Sequence, residues 1–257
     1  MIDGIDILTP ELAEGDIEFH NVYFRYTSST SIKWVLNNFC LKIKAGQSIG
    51  IVGESGSGKS TLLQLLYRFY DPQQGHITIS GVPIINFTLC SLRQQFGIVQ
   101  QEPVLFNSSI LDNILYGKPH ATVDEVRLAA KLANATEFIE KDYSPSGVPD
   151  GEYLAEIESD PRYSQLPIGY RNILGPKGHK LSGGQRQRVA IARAIIRTPK
   201  VLMFDEATAA LDEGSQEKVQ ETLEEIMHKS TCIVIAHRVS AIKNCDRVVT
   251  LVDGVSI

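Results

Sequence analysis

The sequence predicts an α/β fold: a mostly parallel sheet covered on both faces and interrupted by a long helical insertion. Three observations lead there. The runs "SIGIV", "KVLMFD", "TCIVIAH" and "RVVTLVDG" are apolar without alternation, as strands buried on both faces are. Helical patterns lie between them: "STLLQLLYRFY" repeats Leu62, Leu65, Leu66 and Phe69 at helical spacing, and "GSQEKVQETLEEIMHK" sets Val219, Leu223, Ile226 and Met227 on one face. The stretch from about Ser91 to Arg197 is mostly helical in pattern, so it reads as an insertion into the α/β core.

Taken in order, residues 1–15 carry a proline, two glycines and no steady period, which marks a linker. "DIEFHNVYFRY", from Asp16 to Tyr26, is aromatic and β-branched and reads as a strand. "WVLNNFCLKIKAGQSIGIV" continues as strands with a turn at Lys44, Ala45 and Gly46. The helical pattern that follows stops before Asp71-Pro72, and "GHITISGVPI" reads as a hairpin around Gly81. In the middle, "VDEVRLAAKLANATEFIEK" is the clearest helix, and "GGQRQRVAIARAII" is a second, ending before Pro199. Between them, Asp142 to Gln165 holds six acidic residues, one arginine, three prolines and two glycines. Such a composition fits a solvated surface loop, with one helical turn at "EYLAEIE"; a partner-binding element is the alternative.

With 43% hydrophobic and 21% charged residues the chain has globular composition. Its net charge of −5 disfavours a nucleic-acid partner, which would demand clustered Lys and Arg. Cys40, Cys90, Cys232 and Cys245 form no CxxC pair, so scattered reduced thiols are expected rather than a disulfide framework. No apolar run reaches the length of a membrane helix, and no signal-peptide pattern follows Met1.

Chemistry enters with "GESGSGKST": Gly53, Glu54, Ser55, Gly56, Ser57, Gly58, Lys59, Ser60 and Thr61 fit G-x-x-x-x-G-K-[ST]. Chance would supply roughly one such match per hundred chains of this length, given ordinary residue frequencies. Here the motif also lies between a buried strand and a helix. Glycines let backbone N–H groups turn toward phosphate, and the helix N-terminus adds partial positive charge. Lys59 would reach the β and γ phosphates, and Ser60 would offer a hydroxyl to Mg²⁺. In "VLMFDEATAALD", Asp205 emerges at a strand end, where ligands gather in open α/β sheets, and would hold Mg²⁺ mostly through its water. Glu206 is placed to orient or deprotonate an attacking water. "LSGGQ", Leu181, Ser182, Gly183, Gly184 and Gln185, opens a helix with a good N-cap and reachable backbone N–H groups. It is an anion half-site without a lysine.

The P-loop, "LSGGQ", "VLMFDE" and "IVIAHR" occur in this order with fitting gaps, and together resemble the ATP-binding cassette domain of ABC transporters. "VQQEPVLFNSSILDNILYG" and "IVIAHRVSAI" are similar to the multidrug-resistance, P-glycoprotein-like exporters, over about Asp16 to the last residue. The resemblance implies a P-loop NTPase (RecA-like) core with an antiparallel β subdomain over 16–91 and 198–257, and a helical subdomain over 92–197. Tyr26 looks like the aromatic that stacks on adenine, with Tyr23 as the alternative. Gln101, or Gln100 beside it, looks like the residue that senses Mg²⁺ and water. Asp212 looks like an aspartate communicating across an interface, and His237 like the histidine that contacts the γ-phosphate.

The same resemblance implies that two cassettes pair head to tail, identical or different, so that each "LSGGQ" closes over the other's ATP. It implies hydrolysis coupled to transport, a transmembrane-domain partner, and a place on the cytoplasmic face of a membrane. Two features depart from the family. "GPKG", Gly175 to Gly178, puts Pro176 where an acidic residue is usual, and the 142–165 insertion is longer than expected. The end at "LVDGVSI" looks like that of a domain trimmed from a larger transporter. A soluble ABC-type ATPase acting on DNA or ribosomes is the other reading, but no coiled coil or zinc module is visible. A cassette that binds ATP without hydrolysing it is disfavoured by Glu206 and His237.

Overall fold

A computed structural model describes residues 15–27, 33–141, 160–208, 211, 213–227, 230–236 and 239–256. The expected linker up to position 14, most of the acidic insertion, Asp212 and His237 lie outside the described residues. The chain forms two compact units: Met1–Ile98 with Pro199–Glu206 and Met227–Ile257, and Val99–Thr198 with Ala207–Ile226.

In the first unit, β1 (Ile17–Phe24), β2 (Leu36–Ile43), β4 (Gln74–Ile79) and β5 (Val82–Pro83) make an antiparallel sheet of order β2-β1-β4-β5. β4 and β5 are the hairpin expected around Gly81, whose φ of 77° is one that side-chain-bearing residues rarely adopt. A second sheet has the order β10-β9-β3-β8-β7-β6, from β3 (Ser48–Val52), β6 (Phe96–Val99), β7 (Val201–Asp205), β8 (Thr231–Ile235), β9 (Arg247–Val252) and β10 (Val255–Ser256). The pairs β3/β8, β3/β9 and β7/β8 are parallel. β3, β7 and β8 are buried throughout except at the last residue of β3 and β7, as runs without alternation predict, whereas β9, expected to be buried in the same way, exposes Arg247, Val248, Thr250 and Val252. An apolar core joins both sheets to helix α1 (Lys59–Leu66) through residues such as Phe24, Phe39, Ile51, Leu62 and Met203.

β6 was not legible in the sequence. Its four residues sit within a helix-like stretch, just after α2 (Leu89–Gln94), and only pairing at the edge of the sheet makes them a strand.

The second unit is helical: α3 (Ile110–Leu115), α4 (Val123–Leu132), α5 (Thr136–Lys141), α6 (Pro161–Gln165) and α7 (Gly183–Ile195), with most of α8 (Glu213–Met227). A last short helix, α9 (Val239–Ile242), returns to the first unit. The segment expected as one helix from Val123 is two. α4 starts on a capping box between Thr122 and Glu125 and ends at Leu132, with Ala133 at its C-cap before Asn134 turns left-handed at φ 51°. The end of the acidic insertion is helix rather than loop. Asp160 caps α6, Pro161 takes its first turn, and Arg162 binds Asp160 and the carbonyls of Pro119 and Ala121. Val219, Leu223, Ile226 and Met227 of α8 are all buried, as their spacing predicts.

Tyr170 is fully buried in this unit, and its hydroxyl has no hydrogen-bond partner among the described residues. Burial, helped by the negative charge of Glu140, pushes its pKa up to about 12. Tyr170→Phe removes an unsatisfied polar group, so the variant is expected to melt at or above the wild-type temperature at pH 8. The folded state holds this proton more tightly than the unfolded chain, whose tyrosine ionises near 10. Wild-type stability therefore falls as pH rises from about 10 toward 12, by an amount on the order of 2 kcal/mol. Melting curves at pH 8 and pH 11 check this: the advantage of Tyr170→Phe should widen at pH 11, and a lower melting temperature at both would refute the assignment.

Candidate functional site

The first cluster is built where β3 gives way to α1. Gly56 and Gly58 have φ of 80° and 106°, so the backbone turns in conformations that exclude ordinary side chains. At Gly53 a Cβ would collide with the carbonyl oxygen of Leu251 and with Ser57 Oγ, so the loop lies tightly on β9. Lys59 opens α1 but is only 6% exposed, and its side chain arches back over the loop. Its Nζ donates to the carbonyls of Gly53 at 2.9 Å and Glu54 at 2.8 Å. Burial lowers its pKa, and the charges of Glu206 and Asp205 pull it back up. The two carboxylates therefore share the field of the buried ammonium.

Asp205 is the last residue of β7, paired with Ile235 of the parallel β8. Glu206 follows with φ 51°, and its N–H donates to the Ile235 carbonyl at 2.9 Å. A glutamate held left-handed costs on the order of 1–3 kcal/mol, and here the neighbouring strand holds it.

Tyr26 lies beyond the end of β1, and its hydroxyl meets Thr61 Oγ1 at 3.0 Å and Gln64 Oε1 at 2.6 Å, both on α1. Its ring is edge-on to Phe24 and Tyr70. Tyr23 instead packs edge-on to Trp34. Of the two tyrosines, Tyr26 is the one tied to the phosphate-loop helix.

In the second unit, Ser182 caps α7 with a reciprocal box. Its Oγ accepts from the Gln185 N–H at 3.2 Å, and Gln185 Oε1 accepts from the Ser182 N–H at 2.9 Å. Two members of "LSGGQ" thus shape the helix start. Arg186 Nη1 donates to the Leu181 carbonyl at 2.6 Å. A Cβ on Gly184 would lie 2.6 Å from Ser215 Cβ, so only glycine lets α7 approach α8 there. Gly183 faces Leu211 more loosely. Gln101 is exposed at the rim of a cavity of about 490 Å³, with Glu102, Lys177, Gln187 and Leu211 among its lining residues. Pro176 begins a single 3-10 turn, and Lys177 within it is left-handed at φ 55°. Gln187, which also lines this cavity, carried no signal in the sequence beyond its place in a run of Gln and Arg.

A magnesium ion suits the donors of the first cluster. Ser60 and Asp205 offer hard oxygens, and the described residues include no group of three or more metal-ligating side chains. Magnesium is commonly held by one or two carboxylates together with substrate phosphates.

A protein-family model, ABC transporter, matches residues 36–209. Relatives include ABC transporter B family member 3 of Dictyostelium discoideum, 47% identical over 97% of this chain and 16% of that protein. ABC transporter B family member 21 of Arabidopsis thaliana is 44% identical over 93% of this chain and 17% of its own length. An ATP-dependent lipid A-core flippase of Alkalilimnicola ehrlichii is 44% identical over 95% of this chain and 37% of its own. Among solved structures, a bacterial Atm1-family ABC exporter with ATP bound matches with a TM-score of 0.80 and 36% identity, covering all of this chain and 40% of that one. The chain thus spans between about a sixth and two-fifths of the length of these proteins. Among the described residues no helix is long and apolar enough to cross a membrane.

Proposed function

The chain belongs to the ABC transporter family, and on that premise we propose that it is the nucleotide-binding domain of an exporter, which binds Mg-ATP, pairs head to tail with a second cassette and hydrolyses ATP to drive transport. The observation that carries this is Lys59: a buried ammonium over a glycine loop, partnered by backbone carbonyls and facing Asp205 and Glu206. A cation so placed is matched to phosphate, which can replace both carbonyls with stronger bonds in which donor and acceptor are both charged.

In the proposed mechanism, Tyr26 stacks on adenine while the N–H groups of the Gly53–Thr61 loop take the phosphates. Lys59 leaves the Gly53 and Glu54 carbonyls for the β and γ phosphates. Ser60, Asp205 and Gln101 would hold Mg²⁺, which would neutralise charge developing on the phosphates. Leu181 to Gln185 and Asp212 act in trans on the nucleotide of the partner cassette, with Ser182 and Gly184 nearest its phosphates. Water attacks the γ-phosphorus as its bond to the β–γ bridging oxygen breaks and ADP leaves; Glu206 accepts the water's proton, and His237 steadies that water against the γ-phosphate. Closure of the two cassettes excludes bulk water and presents donors to the charge that develops.

The transmembrane partner and the position at the cytoplasmic face of a membrane are parts of the same proposal. The relatives' names, a transporter and a flippase, and the matched exporter structure support an exporter over a soluble ATPase.

Light scattering tests the pairing. With Mg-ATP, Glu206→Gln protein should double its mass, and adding Ser182→Arg should abolish the dimer. Ser182→Arg also removes a helix cap worth about 1 kcal/mol, so a melting curve must accompany it. A dimer that survives Ser182→Arg in folded protein would refute the trans assignment. ATP binding by a strict monomer would point to a different cassette as the natural partner.

A further inference from the structure

Gln187 of α7 is 1% exposed, and its Nε2 donates to the backbone carbonyl of Gln100 at 3.0 Å, across 87 residues of sequence. Arg193, later on the same helix, donates to the Val104 carbonyl at 2.8 Å. One helix therefore grips both ends of the segment that carries Gln101, and the same helix begins with the "LSGGQ" backbone. Between those two bonds Gln101 and Glu102 are exposed beside the 490 Å³ cavity, so side-chain packing does little to hold them.

Folding gives no reason for an amide at 187. Its Oε1 is buried with no partner among the described residues, and an unsatisfied buried acceptor costs about 1–3 kcal/mol against a net gain of about 1 kcal/mol from the bond its other end makes. An apolar side chain of the same length would serve packing better. What the amide supplies is a fixed distance between α7 and the Gln100 backbone.

We propose that Gln187 is a positioning residue for hydrolysis, a strut that fixes Gln101 relative to Ser182 and Gly184, so that placing the signature on the partner's nucleotide also places Gln101 toward the chain's own. The inference rests on the proposed function and adds a residue to it. Gln187 itself touches no substrate, and it acts through Gln101.

The test compares Gln187→Met and Gln187→Leu, both apolar and of similar volume, in the purified chain. Neither can donate to the Gln100 carbonyl. Both should keep KM for ATP within about twofold while kcat falls about fivefold, the loss expected when a hydrogen bond worth about 1 kcal/mol no longer favours the competent arrangement. Gln187→Met should melt no lower than wild type. In a Gln101→Ala background, Gln187→Met should lower kcat little further, because the strut then has nothing to position. Amide exchange over residues 100–106 should quicken in Gln187→Met with the rest of the chain unchanged.

Unchanged kcat, a fall in kcat matched by a fall in melting temperature, or full additivity with Gln101→Ala would overturn the proposal. If the wild-type chain hydrolyses no ATP, the proposed function fails, and the strut is judged by exchange alone. Quickened exchange at 100–106 upholds it, and unchanged exchange overturns it.

Discussion

Glu206→Gln should lower steady-state ATPase activity at least about a hundredfold while leaving ATP affinity within about threefold of wild type. A positioned general base contributes about 10²–10⁴ to a rate, and the amide keeps the shape of the carboxylate while losing its basicity. The backbone makes the comparison clean. Glu206 is held left-handed at φ 51° by its N–H bond to Ile235, and glutamine meets the same backbone demand, so the variant should fold as wild type does. Removing one negative charge from the field of Lys59 should weaken phosphate binding little or even strengthen it. Paired measurements of nucleotide affinity and phosphate release read both quantities. Hydrolysis at the wild-type rate would remove Glu206 from the role of base, and loss of binding together with rate would make it a structural residue.

Lys59→Ala should fail in a different way, with ATP affinity lowered roughly 10- to 100-fold and turnover abolished. Each charge-assisted hydrogen bond is worth about 1.5–3 kcal/mol, and Lys59 is placed to give the phosphates at least one. The stability of the apo protein should move in the opposite direction. Burial already disfavours this ammonium, so Lys59→Met, which keeps the apolar stem, should melt at or above wild type. That separates lost binding from lost fold. The depressed pKa also has a consequence for binding. Lys59 sheds its proton at lower pH than an ordinary lysine, so ATP affinity should decline on the alkaline side earlier than an exposed lysine would cause. Calorimetric titration of ATP into both variants decides: wild-type affinity in Lys59→Ala would mean that the loop binds without its cation.

These effects were legible in the sequence to different depths. The spacing of Gly53, Gly58, Lys59 and Ser60 announced a phosphate loop because its parts are contiguous, and each does its work within one turn of backbone. The capping role of Ser182 was equally local, although its exchange of bonds with Gln185 gives the signature glutamine a structural duty that the resemblance to a family did not mention. Short four- to six-residue elements were harder to read. β6 exists because the neighbouring strand β7 offers it an edge, and α6 exists because Asp160 and Pro161 start a turn that a proline-rich acidic stretch concealed.

By itself, then, the sequence determined the α/β class, the glycine loop, the carboxylates at the end of an apolar strand and the helix opened by Ser182. All of these rest on periodicity or on contacts within a few residues, where backbone geometry follows from residue type. Only the tertiary structure decided that Tyr26 and not Tyr23 reaches α1, that Lys59 is buried against its own loop, and that Glu206 is held left-handed by Ile235. It also brought Gln187 to the Gln100 carbonyl. Each of those outcomes depends on where a distant strand or helix comes to rest, and burial and long-range hydrogen bonds acquire their strength only once that partner is in place.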